Sequence, residues 1–165
     1  MLKALGDLFG KAFAGTEEDS QSSREHAVRV ATALLLIEVA RADYDEDIAE
    51  DEAVAKLLRD FFELSADEAS ILMDEARVES DYAVSLQAFT RQLHESLTLE
   101  EKHRVVDMLW RVALADRRLD KNEDYLVRKV ADLLYISHSD LIRIRNRVKS
   151  SLGFGALKCA RRARQ

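Results

Sequence analysis

Apolar residues recur along most of this chain every three or four positions, the period of a helix with one buried face. Between about residues 23 and 43 the stripe includes Val28, Ala31, Leu35 and Val39, and Ala33–Ile37 is apolar nearly all round, which marks a central helix. The same period predicts helices over about 50–63 (Val54, Leu57, Leu58, Phe61, Phe62), to about 79 (Ile71, Leu72, Met73) and over 82–96 (Val84, Leu86, Phe89, Leu93). A long helix to about 116 follows (Val105, Met108, Leu109, Val112, Ala113), then one carrying Leu126, Val130, Leu133 and Leu134, and a last one with Leu141, Ile144 and Val148. Ahead of them, Leu2, Leu5, Leu8, Phe9, Ala12 and Phe13 give residues 2–13 an amphipathic face, suited to the chain's own core or to a membrane surface.

Helix starts are marked by a small polar residue followed three positions later by an acid. There the first side chain accepts the backbone N–H of the second residue, and the acid reaches back to the first. Ser22 with Glu25, Ser65 with Glu68, Thr98 with Glu101 and Asp120 with Glu123 have this form, and Ser137 with Asp140 resembles it. Turns made this way need no helix breaker. Proline is absent and the glycines stand at 6, 10, 15, 153 and 155, so residues 16–152 lack the turn residues that a β-rich chain would use repeatedly. The expectation is an all-α fold, a compact bundle of seven or eight helices. Residues 1–23 would be an amphipathic helix and linker, 24–149 the helical domain, and 150–165 a basic tail. The 165 residues suffice for one domain with a real core.

The chain also resembles itself. Glu38-Val-Ala-Arg-Ala-Asp43 matches Arg111-Val-Ala-Leu-Ala-Asp116, and each leads through an acidic connection into a helix. Those helices end in Phe61-Phe62-Glu63-Leu64-Ser65 and Leu133-Leu134-Tyr135-Ile136-Ser137. The offset passes from 73 to 72 within the connection, and only two copies exist, so this is an internal duplication rather than a solenoid. Packed together, the halves would form a pseudo-twofold core, and the two acidic connections could then share one pole.

An apolar helix, Val-Ala-x-Ala-Asp, an acidic turn with one hydrophobic residue and an acid opening the next helix together resemble the TerB-like family. That family includes tellurite-resistance TerB proteins and the N-terminal domain of a membrane-anchored DnaJ-like co-chaperone. The residues that carry the resemblance are Ala42, Asp43, Ile48 and Glu50 to Glu52, then Ala115, Asp116, Leu119, Asp120 and Glu123, and it spans roughly residues 24–149. The family has glycine after the motif Asp, where this chain has Tyr44 and Arg117, and the first connection here is longer. The resemblance implies an all-α fold, acids gathered at one pole, and a link to metal or oxyanion stress or to stress assemblies. It implies no enzymatic activity.

Charge sharpens this picture. Residues 1–103 hold ten Lys/Arg against 24 Asp/Glu, a net −14, while residues 104–165 hold fifteen against seven, a net +8 within an overall −6. Seven of the ten residues from 43 to 52 are acidic. Carboxylates at this density raise one another's pKa unless cations offset them, and hard oxygen donors favour Ca²⁺, Mg²⁺ or Mn²⁺. Asp43-x-Asp45-x-Asp47 copies the start of an EF-hand loop, but Ile48 and Val54 stand where that loop needs Gly and Glu. A looser site built from both copies would use Asp43, Asp45, Asp47 and Glu50 with Asp116, Asp120 and Glu123. The alternative is ordinary: acids in a helix's first turn complement its dipole, and a charge run is commonly a solvated loop.

Other chemistries find less support. Glu100-x-x-His103 is half of a di-iron carboxylate pattern, and no second half exists. No glycine-rich phosphate loop and no nucleophile-and-base signature occurs. Arg143, Arg145, Arg147 and Lys149 suit the C-terminal end of a helix better than nucleic acid, since no aromatic residue is interleaved. Trp110 reads as core. The lone Cys159, the lack of a bilayer-length apolar run and an interrupted N-terminal apolar stretch point to the cytoplasm. The reading is thus a non-enzymatic interaction module with an acidic pole, which takes a divalent cation or a basic protein partner. The rivals are a metal-dependent enzyme using the clustered carboxylates and a membrane-peripheral adaptor held by residues 2–13.

Overall fold

The computed structural model describes residues 17–42, 48–82, 86–115 and 117–154, with side chains described for 21–42, 51–80, 86–115 and 117–154. Seven helices occur among them: α1 (Glu17–Ala40), α2 (Ile48–Phe62), α3 (Ala66–Tyr82), α4 (Leu86–Ser96), α5 (Leu99–Ala113), α6 (Lys121–Leu133) and α7 (His138–Ser151). No strand occurs among the described residues. The amphipathic stretch 2–13 and the tail from 155 lie outside them.

Local sequence explains most of the helix starts. Thr98 sits in extended backbone, accepts the N–H of Glu101 and receives the Glu101 carboxylate on its own N–H at 2.7 Å. Asp120 and Glu123 do the same for α6. Ser65 and Glu68 exchange the same two bonds, at 2.8 and 3.2 Å. At Ser137 only half of the exchange forms: its hydroxyl accepts the Asp140 N–H but donates to the Asp140 carboxylate, which also takes Arg143. Each such cap contributes about 1 kcal/mol.

Two expected boundaries are corrected. α1 begins at Glu17 rather than near 23, so Ser22 and Glu25 are exposed residues inside the helix and residues 17–23 are not a linker. A Ser-x-x-Glu pair caps only where the backbone before it is extended. Here no breaker separates residues 17–23, and the helix runs through them. The break between α3 and α4 also falls later than expected, because α3 runs on to Tyr82 and α4 starts at Leu86.

α1 is the hub of the bundle and packs on α2, α3, α4, α5 and α6. Ala27, every residue from Val30 to Ile37, Val39 and Ala40 are buried in it. α5 is its counterpart, with Val105, Val106, Met108, Leu109, Trp110, Val112 and Ala113 all buried, and it packs on α1, α2, α6 and α7. Each large side chain removed from water in this way stabilises the fold by about 1.5–3 kcal/mol.

The duplication is visible in the backbone hydrogen bonds. After α1, Arg41 N–H bonds to Ile37 and Ala42 N–H to Val39; after α5, Leu114 bonds to Trp110 and Ala115 to Val112. After α2, Leu64 N–H reaches back to Arg59 past Glu63 at φ 54°; after α6, Ile136 reaches back to Ala131 past Tyr135 at φ 58°. A bond spanning five residues across a left-handed residue is a Schellman ending. α7 ends in the same way, with Gly153 at φ 80° and Phe154 bonded back to Lys149. Two halves of one sequence pattern have therefore kept one backbone plan.

Candidate functional site

α1 and α5 each deliver an acidic connection through the same turn, and α2 and α6 receive them. Of the seven acids expected to act together, Asp43, Asp45, Asp47 and Asp116 lie outside the described residues, as does the side chain of Glu50 in the first turn of α2. Whether the two connections share a pole therefore also lies outside them. Asp120 and Glu123 are described. The Asp120 carboxylate accepts the N–H of Asn122 at 2.7 Å and that of Glu123, while the Glu123 carboxylate accepts the N–H of Asp120 at 3.1 Å. Glu123 is buried, at 4% exposure. These two acids hold the start of α6.

Beyond these positions, several of the described acids meet basic or hydroxyl partners. Asp51 receives Arg77 at 2.8 Å, and Arg77 also reaches Asp74 at 3.3 Å. Asp124 receives Arg128 at 2.7 Å, and the hydrogen bond holds the guanidinium pKa above its ordinary value. Glu38, in the first copy of the motif, accepts a hydrogen bond from Ser80 on α3. Its counterpart Arg111 binds Asp107 at 2.6 Å and the Ser151 hydroxyl at 3.3 Å. Asp107 also takes Arg147 at 3.0 Å. Among the described residues, no group of three or more His, Cys, Asp or Glu side chains is arranged to hold a metal.

The half di-iron pattern does not assemble. Glu100 is exposed and pairs with Arg104 at 3.2 Å, while His103 Nε2 lies 3.7 Å from Asp140 across the α5–α7 contact. The basic residues of α7 are partly engaged: Arg143 with Asp140 and Arg147 with Asp107. Hydrogen bonding by Ser137, then by Arg143, holds the Asp140 carboxyl below the usual range. The Ser65 backbone and hydroxyl do the same for Glu68. Glu79 moves the opposite way, raised by burial and then by the neighbouring charge of Glu75.

Among the described residues, two concavities stand out on the surface. A groove of about 580 Å³ between α2 and α5 is floored by Leu57, Phe61, Met108 and Leu152 and edged by Lys56, Asp60 and Arg111. A smaller cleft of about 190 Å³ lies between α1 and α3, where His26 meets Glu75 at 3.1 Å beside Arg29 and Glu68. Sequence reasoning also missed a side-chain cluster. Lys102, only 8% exposed, places its ammonium 2.8 Å from Nδ1 of His94, and the His94 ring lies 4.5 Å from that of Tyr135. No short-range spacing signals this group, because its members come from α4, α5 and the end of α6.

A family model described as tellurite resistance protein TerB matches residues 29–146. No curated protein and no solved structure matches the chain. No described helix is long and apolar enough to cross a membrane.

Proposed function

The chain belongs to the TerB family, and from that premise we propose that it is a non-catalytic docking module whose acidic connections bind a basic protein partner, with a divalent cation as co-ligand. The observation that carries this reading is the repeated turn. Ala42 bonds to Val39 and Ala115 to Val112, each at 3.1 Å, so one backbone geometry launches both acidic connections towards the N-termini of α2 and α6. Repulsion among clustered carboxylates is relieved when a cation or an Arg/Lys side chain enters, which makes binding charge-assisted.

The cation would be hard and oxygen-seeking, Ca²⁺, Mg²⁺ or Mn²⁺, held by Asp43, Asp45, Asp47, Glu50, Asp116, Asp120 and Glu123. The family's description as tellurite resistance proteins supports a role in oxyanion stress; a place in cytoplasmic stress assemblies is part of the proposal. Tellurite is itself an anion, and these acids would repel it.

The test is calorimetric titration of chelator-treated protein with each cation, beside an Asp43→Asn/Asp116→Asn double variant. Saturable binding that the variant loses supports the cation site, and no heat with any cation removes it. A Lys/Arg-rich peptide titrated at low and high salt tests the docking itself. Salt-sensitive binding that weakens in the double variant supports docking, and no binding with or without cation overturns it.

A further inference from the structure

Buried charges are nearly always paired. Lys102 breaks this rule: its described partner is a neutral acceptor, Nδ1 of His94, and no carboxylate lies within ion-pair distance of it among the described residues. The acids closest in sequence are occupied elsewhere, Glu101 by the Thr98 N–H at 2.7 Å and Glu95 by Arg91 at 3.2 Å.

The duplicated half offers an internal comparison. At the offset of 73, Lys102 corresponds to Arg29 of α1. Arg29 lies over the Phe62 ring at 5.7 Å, shares its cleft with Glu68 and Glu75, and helps to lower the Glu68 pKa. The counterpart of Glu68, at the offset of 72, is Asp140, which is taken by Ser137 and Arg143. The first cation thus has carboxylates before it, and the second has an imidazole and a phenol.

We propose that Lys102, His94 and Tyr135 form a binding site for an oxyanion group where α4, α5 and the α6–α7 turn meet. An ammonium can only donate, so His94 Nδ1 accepts from it and the proton of the neutral ring is on Nε2, a second donor. With the remaining ammonium N–H groups these make a donor set around a buried positive charge, which a neutral ligand would leave uncompensated and an oxyanion completes. Tyr135, 76% exposed and in left-handed backbone, sets its ring 4.5 Å from that of His94 and adds an aromatic wall to the site. This site shares no residue with the acidic connections, so its success or failure is independent of theirs.

The test is an NMR titration of the full chain near neutral pH with inorganic phosphate and, separately, acetate, with chloride holding the ionic strength constant. The expected result is saturable shifts of the His94 and Tyr135 ring resonances, with affinity at least tenfold weaker in Lys102→Met and retained in Lys102→Arg. Tighter phosphate binding assigns the group to a phosphorylated ligand, and tighter acetate binding to a carboxylate. The absence of saturable shifts with both anions, or unchanged affinity in Lys102→Met, overturns the proposal. The native titration decides the matter even if Lys102→Met fails to fold.

Discussion

Glu63 and Tyr135 hold left-handed backbone at repeat-equivalent helix ends, with φ 54° and 58°. A side chain with a Cβ pays about 1–2 kcal/mol for that conformation. Glycine does not, but it loses about 0.5–1 kcal/mol more backbone entropy on folding. Glu63 is exposed, so Glu63→Gly should raise stability by about 0.5–1 kcal/mol, a rise of roughly 1–4 °C in Tm for a chain of this size. At Tyr135 the same backbone relief is set against loss of the ring contact with His94. Such contacts contribute about 0.5–1.5 kcal/mol, and Tyr135→Gly should therefore come out near neutral. The assay is urea unfolding followed by circular dichroism, comparing midpoints at unchanged slope. Glu63→Ala serves as the control, since it keeps the Cβ and should stay within about 0.5 kcal/mol of the native protein. A midpoint for Glu63→Gly below that of Glu63→Ala would refute the reasoning, because it would mean that the entropy glycine loses outweighs the relief of the left-handed strain.

Two further outcomes follow from the caps and the titrating groups. Thr98→Ala removes the hydroxyl that accepts the Glu101 N–H and should cost about 1 kcal/mol in urea unfolding; no measurable loss would mean that the α5 start is held by packing alone. Glu79 has its pKa raised in the folded state by burial and then by Glu75, so the fold holds its proton more tightly than the unfolded chain does. Stability from this group is fully present below the unfolded pKa, about 4.3, and is lost as pH rises through the folded one. Glu79→Gln should accordingly stabilise the protein at neutral pH, with the gain vanishing in acid; an equal gain at both pH values would contradict the assignment.

Features confined to three or four consecutive positions were legible in the sequence. The Ser65, Thr98 and Asp120 caps form as the spacing predicts, because donor and acceptor lie within one turn of each other. The all-round apolar run Ala33–Ile37 does mark the central helix. The duplication was legible too, since two similar sequences met the same steric rules. The start of α1 was not, because Ser22 and Glu25 satisfy the capping pattern equally well inside a continuing helix. The left-handed residues Glu63, Arg117 and Tyr135 were also hidden, as each adopts a conformation that glycine takes freely and that its own side chain does not announce. Arg117, where the resemblance led to an expectation of glycine, holds a left-handed φ of 64°. The cluster of Lys102, His94 and Tyr135 required the three-dimensional arrangement of three helices, which no local spacing encodes.

The duplication separates what the backbone demands from what the side chains are free to do. Val39 and Val112, and likewise Arg59 and Ala131, accept equivalent turn bonds, so the helix ends are fixed by the fold in both halves. At the same positions the charges have diverged. Glu38 receives Ser80 while Arg111 binds Asp107 and Ser151, and Arg29 faces carboxylates while Lys102 faces an imidazole. Had these charges served only to hold helix to helix, each half could have kept complementary pairs. The second half instead carries a cation without a carboxylate, beside an imidazole and an exposed aromatic ring. The two halves thus share a backbone plan and differ in what surrounds their cations. If both proposed sites bind as argued, a ligand at Lys102 should leave the cation affinity of the acidic connections unchanged, because the two sites share no residue.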